Sequence, residues 1–145
     1  MTHGIDTDFL VASEVRDHPF HSTAEALLQT LLTDGHDLAV APQTLAEFIH
    51  VVTDPRRMPH PLSMSEAIMR ADHWWHATEV VRVFPDGLAV AGFLGWLSRY
   101  QLGRKRLLDT LLAATLLQAG VRRLITNNER EFNGFGCFDI VTFRT

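Results

Sequence analysis

The chain has 145 residues, of which 46% are hydrophobic and 21% charged, and its formal net charge is −4. This length and composition predict one compact domain, residues 1–145, and leave little material for a second. The acidic balance argues against nonspecific binding of nucleic acid through a basic surface. Basic residues are nevertheless grouped at three places, Arg56-Arg57, Arg104-Lys105-Arg106 and Arg122-Arg123, where they form solvated faces, helix ends or phosphate contacts.

The sequence also limits the compartment. No apolar run reaches the roughly 18 residues that span a bilayer, and the first ten residues include acidic side chains in place of an apolar leader. Cys137 is the only cysteine, which excludes an internal disulfide and a cysteine-rich zinc site. We therefore expect a cytoplasmic protein with no membrane segment.

The first elements in chain order are a short strand and a helix. The strand is predicted to end at Ile5 and is followed by the polar pair Asp6-Thr7. Ser22 and Glu25 have the spacing of a capping box, which predicts that a helix begins there. Gly35 suits the end of that helix.

A second strand and two further helices are predicted next. The strand covers residues 37–41, and Pro42 opens a helix that carries Glu47 in its first turns. After a segment broken by prolines, Ser63 and Glu66 form another capping box. This second box predicts a helix that runs through two adjacent tryptophans.

The remainder of the chain continues the alternation of strand and helix. Strands are predicted over residues 80–84, 121–126 and 138–143, and a helix is predicted from Pro85-Asp86 to about Leu102. Between Gly103 and Gly120 lies a second helix, containing "RLLDTLLAATLL". Strands that alternate with helices predict an α/β fold with a mainly parallel sheet and helices on both faces.

Several polar side chains fall where such a sheet binds its ligands, beyond the carboxyl ends of the strands. Asp6 follows the first strand, Glu47 lies near the start of the helix after the second, and Asn127-Asn128 with Glu131 follows the strand that ends at Thr126. Asp109 does not follow a strand, so spacing alone does not place it beside the others.

Asp109 permits two interpretations, because it is the only carboxylate in an otherwise apolar run. Near a helix start a carboxylate stabilises the free backbone N–H groups, by about 1 kcal/mol. As a metal ligand it would instead have its burial compensated by a cation. One carboxylate does not decide between these two roles.

Other motifs in the sequence have simpler structural explanations. The pairs His18/His21 and His73/His76 are spaced to share a helix face, but no Glu-x-x-His partner set accompanies them, so we interpret them as surface or packing pairs. Trp74, Trp75 and Trp96 lie in apolar helical stripes that are typical of a core or an interface. No glycine-rich phosphate loop and no serine or cysteine nucleophile signature is present.

Four segments together resemble one family. "GIDTDFLV" at residues 4–11, "LAEF" at 45–48, "LLDTLLAATLLQAGV" at 107–121 and "LITNNEREF" at 124–132 are similar to the signatures of the PIN-domain ribonucleases, in the same order. The short length of the chain and the form of the last segment look most like the VapC-type toxins of bacterial toxin-antitoxin pairs. The resemblance implies a single PIN domain over residues 1–145, a PIN-like three-layer sandwich.

The resemblance also implies a site and a reaction. The family holds Mg²⁺ or Mn²⁺ on clustered acids and hydrolyses RNA with a metal-bound water. On matching positions the ligands would be Asp6, Glu47 and Asp109, with Asn128 or Glu131 completing the site, and clustered carboxylates of this kind need a cation to remain ionised. The hydroxyls of two threonines, Thr7 and Thr126, would orient these ligands.

For partners, the resemblance implies an RNA substrate, a homodimer and a protein antitoxin that covers the acidic crevice. We expect the apolar helices around Phe48 to Val52 and Trp74-Trp75 to supply contact surfaces. Two alternatives remain: an RNA-processing PIN nuclease without an antitoxin, and a catalytically weak PIN-fold binding module. The second is favoured by Asn127-Asn128, since many family members carry Asp there.

Overall fold

The structure is a computed structural model that describes residues 1–144. It contains a five-stranded sheet and helices that alternate with the strands. The strands are β1 (Thr2–Ile5), β2 (Asp37–Val40), β3 (Val80–Arg82), β4 (Arg123–Ile125) and β5 (Asp139–Val141). The helices are α1 (Thr7–Glu14), α2 (His21–Thr33), α3 (Pro42–Val52), α4 (Met64–His76), α5 (Gly87–Arg99), α6 (Leu107–Gln118) and α7 (Glu129–Asn133), with a 3₁₀ turn at Arg104–Arg106.

The sheet has the order β3-β2-β1-β4-β5, and all four pairings are parallel. The predicted α/β fold with a mainly parallel sheet is therefore confirmed. Because β1 is central, the carboxyl ends of β1, β2 and β4 lie side by side at one edge of the sheet. This edge is where a parallel sheet presents its ligand-binding residues.

Alternate residues of each strand supply two cores, one on each face of the sheet. On β2, Leu38 and Val40 pack with α1 to α4, whereas Ala39 packs on the opposite face with α6. Gly4 in β1 allows α6 to approach closely, since a Cβ at this position would lie 2.6 Å from Cδ1 of Leu116. The sheet and its two helical layers thus form the predicted three-layer sandwich.

Most of the predicted helix ends are confirmed. Pro42 opens α3, and the Ser63 hydroxyl accepts a hydrogen bond from the backbone N–H of Glu66 at the start of α4. Gly35 and Gly120 follow α2 and α6 with φ angles of +77° and +76°, a left-handed conformation that glycine adopts without strain.

The capping box predicted at Ser22 is wrong. Helix α2 begins one residue earlier, at His21, with Phe20 as its N-cap and no side-chain capping bond. The hydroxyl of Thr23 donates to the carbonyl of Phe20, so the first turn is closed from inside the helix. Ser22 is already helical, which leaves it unable to act as a cap.

The strands are shorter than predicted. The apolar residues that flank them, such as Val83, Val121 and Phe143, are buried beyond the ladder, so hydrophobicity alone overestimates strand length. Within residues 1–144, no helix is both long and apolar enough to cross a membrane.

Candidate active site

A cavity of about 330 Å³ lies at the carboxyl edge of the sheet. Its acidic wall consists of Asp6 at the end of β1, Asp8 in α1, Glu47 in α3 and Asp109 in α6, and Asn128 also lines it. Four of the sequence-predicted site residues, Asp6, Glu47, Asp109 and Asn128, are thus brought together by four separate parts of the chain.

Asp6 is the most buried of these acids, with 3% of its surface exposed. It is the N-cap of α1, where Oδ1 accepts a 2.8 Å hydrogen bond from the backbone N–H of Thr7. Oδ2 accepts a 2.8 Å bond from the hydroxyl of Thr126, which follows β4. Both carboxylate oxygens are therefore held in fixed directions, one by a backbone donor and one by a side chain.

Asp8 also lines this cavity, although the sequence analysis does not predict it as a site residue. Its Oδ2 accepts a 2.8 Å hydrogen bond from the backbone N–H of Asn127 and a 3.3 Å contact from the Thr126 hydroxyl. Its Oδ1 is buried and has no hydrogen-bond partner within residues 1–144. The available signal was its place two residues after Asp6, in the first turn of a helix that starts at the sheet edge.

Asp109 lies in the first turn of α6 but does not cap it, since the N-cap position belongs to Arg106 and no side chain makes a capping bond. Its carboxylate shares the cavity with Asp6 and Glu47. Thr110, the next residue, is fully buried and donates to the carbonyl of Arg106. From Thr110 to Leu116 the helix is largely buried, which accounts for the apolar run after Asp109, whereas Leu107 and Leu108 before it are exposed.

The electrostatics of the cavity favour an added positive charge. Burial, reinforced by the neighbouring Asp8, raises the pKa of Asp6. Burial also raises the pKa of Asp8, against the hydrogen bonds that it accepts. For Asp109, burial and then the charges of Asp6 and Glu47 raise the pKa to about 7. A cation among these carboxylates would reverse all three shifts.

The donor set fits a hard divalent cation. Every candidate ligand offers oxygen, and the buried, unbonded Oδ1 of Asp8 is an acceptor that a cation would satisfy. Among residues 1–144, however, no three His, Cys, Asp or Glu side chains are already gathered at metal-ligand distances around one point. Water molecules or small rotations of Glu47 and Asp109 would have to complete the coordination.

Glu131 lies outside the cavity lining, in α7. Its carboxylate forms an ion pair with Arg106, and its backbone carbonyl accepts a hydrogen bond from the same guanidinium. The Arg106 guanidinium also lies 5.8 Å from the ring centroid of Phe135. Glu131 is therefore linked to the site by its ion pair with Arg106. The positive charge of Arg106 lowers the pKa of Asp109, against the effects that raise it.

The two asparagines after β4 have different surroundings. The side-chain oxygen of Asn127 accepts a 2.8 Å hydrogen bond from the backbone N–H of Phe143, so it links this loop to the end of the chain. Asn128 is exposed and lines the cavity. The backbone N–H of Asn128 donates to the Thr126 hydroxyl at 2.9 Å.

The structure buries part of the apolar contact surfaces proposed from sequence, whereas Trp75 stays only partly buried. Phe48 and Val52 are fully buried, and Trp74 is only 6% exposed. These side chains point toward the sheet because α3 and α4 cover one of its faces. Trp96 stacks on Phe135 with ring centroids 4.4 Å apart, which confirms its expected packing role.

Two basic residues, His18 and Arg57, line the same cavity as the acids. His18 lies between α1 and α2, and Arg57 lies in the proline-rich segment between α3 and α4. The sequence suggested only a surface or packing role for His18, because nothing in the spacing of a loop residue indicates which cavity it enters.

The fold and this acidic edge define a known class of protein. A family model described as PIN domain matches residues 5–135, and the chain belongs to the PIN-domain family. The likeness to VapC-type proteins is confirmed as well: the chain is 30% identical over 137 residues to Ribonuclease VapC24 of Mycobacterium tuberculosis, which covers 91% of this chain and 90% of that protein.

Solved structures share the fold at lower identity. VapBC2 from Rickettsia felis, bound to a DNA fragment from its promoter, gives a TM-score of 0.70 at 16% identity and covers 99% of this chain and 100% of that one. Mycobacterium tuberculosis VapC20, a sarcin-ricin loop cleaving toxin, gives a TM-score of 0.66 at 18% identity and covers 86% and 87%. VapBC-1 from nontypeable Haemophilus influenzae gives a TM-score of 0.65 at 18% identity and covers 99% of this chain and 98% of that one.

Proposed function

We propose that this protein is a metal-dependent endoribonuclease and the toxin of a type II toxin-antitoxin pair. The observation that carries the proposal is the set of buried carboxylates with raised pKa values around one cavity, at the sheet edge where Asp6 and Asp109 meet. The 30% identity to a protein named as a ribonuclease supports RNA as the substrate.

Asp6, Glu47 and Asp109 would hold Mg²⁺ or Mn²⁺, with Asp8 as a further acidic ligand and Asn128 as a neutral one. Once held by these residues, such an ion would supply Lewis-acid chemistry, lowering the pKa of a bound water and stabilising negative charge at the phosphate. The protein's own contribution is to fix the ligands. Carboxylate oxygens suit both ions, so the ligand set does not distinguish magnesium from manganese.

Two threonines act in this arrangement, but not in the same way. Thr126 orients Asp6 with its hydroxyl, as expected for a residue that supports a ligand. Thr7 supplies its backbone N–H to Asp6, and the role predicted for its hydroxyl remains a proposal. Arg106, held by Glu131, places a positive charge beside Asp109 and so favours its ionised form.

The toxin assignment rests on the relatives. Several solved structures that share the fold are toxin-antitoxin assemblies, including a toxin-antitoxin complex from Klebsiella pneumoniae with a TM-score of 0.63. We infer that a protein antitoxin covers the acidic cavity of this chain and blocks RNA entry. Such a pair would act in the cytoplasm, where its RNA targets are.

For the homodimer we propose the outer face of α5. Leu88 and Leu94 are 67% and 56% exposed, and Val90 is 43% exposed, so this helix presents apolar side chains to solvent. Gly87, Ala91 and Gly95 lie on the same exposed face at intervals of four residues, which would let a second helix approach closely. We propose this face in place of the sequence-predicted surface, because Phe48, Val52 and Trp74 of that surface are buried.

The experiment that tests the activity is cleavage of RNA by the purified protein with Mg²⁺ or Mn²⁺, in parallel with the Asp109→Asn variant prepared identically. We expect fragments from the wild type only, and none after EDTA. Equal cleavage by wild type and variant would reveal a contaminating nuclease, and undiminished cleavage in EDTA would exclude the metal mechanism.

The alternative of a catalytically weak binding module is favoured by one observation, the neutral Asn128 in the cavity. If it holds, the wild type binds RNA without cutting it. An RNA-processing nuclease without an antitoxin would cleave RNA but leave a bacterial host unharmed on expression.

A further inference from the structure

Basic residues line the cavity as well as acidic ones, and we call His18 and Arg57 its basic side. His18 and Arg57 line it together with Asp6, Asp8, Glu47 and Asp109. Both basic residues come from the connections between helices and not from the sheet edge. An RNA strand presents a row of phosphates, so any strand that brings one phosphate to the carboxylates brings its neighbours close to the rest of the cavity wall.

The ring of His18 is oriented by its own loop. Its Nδ1 accepts a 3.1 Å hydrogen bond from the backbone N–H of Phe20, so in the neutral ring the proton resides on Nε2. Burial, with His21 nearby, lowers the pKa of His18 and so favours the neutral ring. His18 therefore carries one N–H donor that its loop does not use.

Of the two arginines near the site, Arg57 has fewer contacts with other side chains and is more exposed to solvent. Arg106 is held by Glu131 and Phe135, and its side chain is 25% exposed. Within residues 1–144 the guanidinium of Arg57 has one acidic partner, Asp54, at the long distance of 3.6 Å, and its side chain is 55% exposed. Most of its N–H groups are thus available to an anion.

The two loops that carry these residues are linked. His60 Nδ1 contacts Asp17 Oδ2 at 2.8 Å and so joins the segment after Arg57 to the segment before His18. In the same segment, the carboxylate of Asp54 accepts a hydrogen bond from the backbone N–H of Arg56, which shapes the turn. The basic side of the cavity is therefore built from two connected loops.

We propose that His18 and Arg57 bind a phosphate of the RNA next to the one that is cleaved. Arg57 pairs with it as a cation, and the Nε2–H of His18 donates a hydrogen bond to it. This role rests on the proposed function. It provides attraction for a polyanion at a site whose other wall is acidic, in a protein whose formal net charge is −4.

The test measures binding separately from cleavage. A labelled single-stranded RNA that the wild type cleaves is titrated with protein, Ca²⁺ replacing Mg²⁺, at several salt concentrations, and a gel confirms that the RNA stays intact. Arg57→Gln is compared with Arg56→Gln, which removes the same charge from the adjacent exposed residue outside the cavity lining. KM and kcat are then measured in Mg²⁺.

We expect Arg57→Gln to weaken RNA binding about tenfold, to reduce the slope of log K against log salt by about 0.7, and to raise KM more than it lowers kcat. Arg56→Gln should behave like wild type. Equal affinities for the two variants would overturn this inference while leaving the nuclease intact. If the wild type cleaves no RNA, the proposed function fails and this inference fails with it.

His18 is tested with a pair of substitutions that separate its two nitrogens. In His18→Asn the side-chain oxygen still accepts from Phe20, but the Nε2 donor is lost. In His18→Gln a donor near the Nε2 position is kept and the bond to Phe20 is lost. We expect His18→Asn to weaken RNA binding about tenfold with an unchanged salt slope, and His18→Gln to bind RNA better than His18→Asn but to melt earlier. The reverse order of RNA affinities would overturn the role of Nε2.

Discussion

The hydroxyl of Thr126 donates a 2.8 Å hydrogen bond to Oδ2 of Asp6, across 120 positions of sequence. This bond joins the ends of β1 and β4 and lowers the pKa of Asp6 against the burial that raises it. We predict that Thr126→Val leaves Asp6 short of a donor and destabilises the ionised form, so that metal affinity at pH 7 falls by about tenfold or more. Thr126→Ser, which keeps the hydroxyl, is the control, and equal affinity of the Val and Ser variants would contradict this role.

The raised pKa values predict an unusual pH dependence of stability in metal-free buffer. Because the folded protein keeps protons on Asp6, Asp8 and Asp109 that the unfolded chain has released, these groups lower the free energy of unfolding as the pH rises from about 4 to about 7. Buried His3 has the opposite effect, because burial lowers its pKa. Below the ordinary pKa of histidine, this residue raises the free energy of unfolding as the pH rises.

Comparing the wild type with Asp109→Asn cancels the contribution of His3. In EDTA at pH 7.5 we expect the variant to be more stable by on the order of 1 kcal/mol, and the difference to vanish toward pH 4. Adding Mn²⁺ should reverse the order, because a ligand of the folded state stabilises the protein that binds it better. Melting curves across this pH range measure both effects, and a variant that is less stable than wild type in EDTA would contradict them.

A metal titration shows whether Asn128 or Glu131 contributes more to metal binding. Since Asn128 lines the cavity and Glu131 is paired with Arg106, we predict that Asn128→Ala weakens Mn²⁺ binding more than Glu131→Gln does. Glu131→Gln should lower stability modestly, by roughly 1 kcal/mol, because the partly buried Arg106 loses its charged partner. A much larger loss of metal affinity in Glu131→Gln would show instead that the glutamate leaves Arg106 to bind the ion.

The dimer surface is tested by charge. We predict that Leu94→Glu on the exposed face of α5 converts a dimer into a monomer at micromolar concentration, because a buried carboxylate without a partner costs several kcal/mol. Sedimentation velocity gives the oligomeric state. Met69→Glu on α4, at a side chain that is 63% exposed, is the matched control and should leave the dimer unchanged. A wild-type protein that sediments as a monomer would contradict the dimer itself.

Much of the fold could be predicted because periodic apolar segments and the residues that end them are local signals. Pro42, Ser63 and Gly120 mark helix boundaries through backbone geometry, and the structure has each boundary where the residue predicts it. The prediction at Ser22 is wrong because its spacing to Glu25 fits a cap equally well two residues after the observed one. The competing local bond from Thr23 to Phe20 is not visible in a pattern of residue types.

The acids at the strand ends were predictable from topology, but the rest of the site was not. Asp6 and Glu47 follow neighbouring strands, whereas Asp109 comes from α6, a helix that packs closely against Gly4 of β1 through Leu116. Whether a residue such as Asp8, His18 or Arg57 lines the cavity depends on which way its helix turn or loop faces. The apolar residues Phe48 and Trp74 looked available to partners because sequence shows hydrophobicity and not the layer that covers it.

The central claim is that these carboxylates form one metal-binding site, and calorimetric titration of Mn²⁺ into the metal-free protein at pH 7.5 tests it most directly. We predict saturable binding by the wild type and an affinity at least about tenfold lower for Asp6→Asn, with the far-UV circular dichroism of both proteins unchanged. Equal Mn²⁺ affinities for the wild type and a correctly folded Asp6→Asn would contradict the account, because Asp6 lies at the centre of the proposed site.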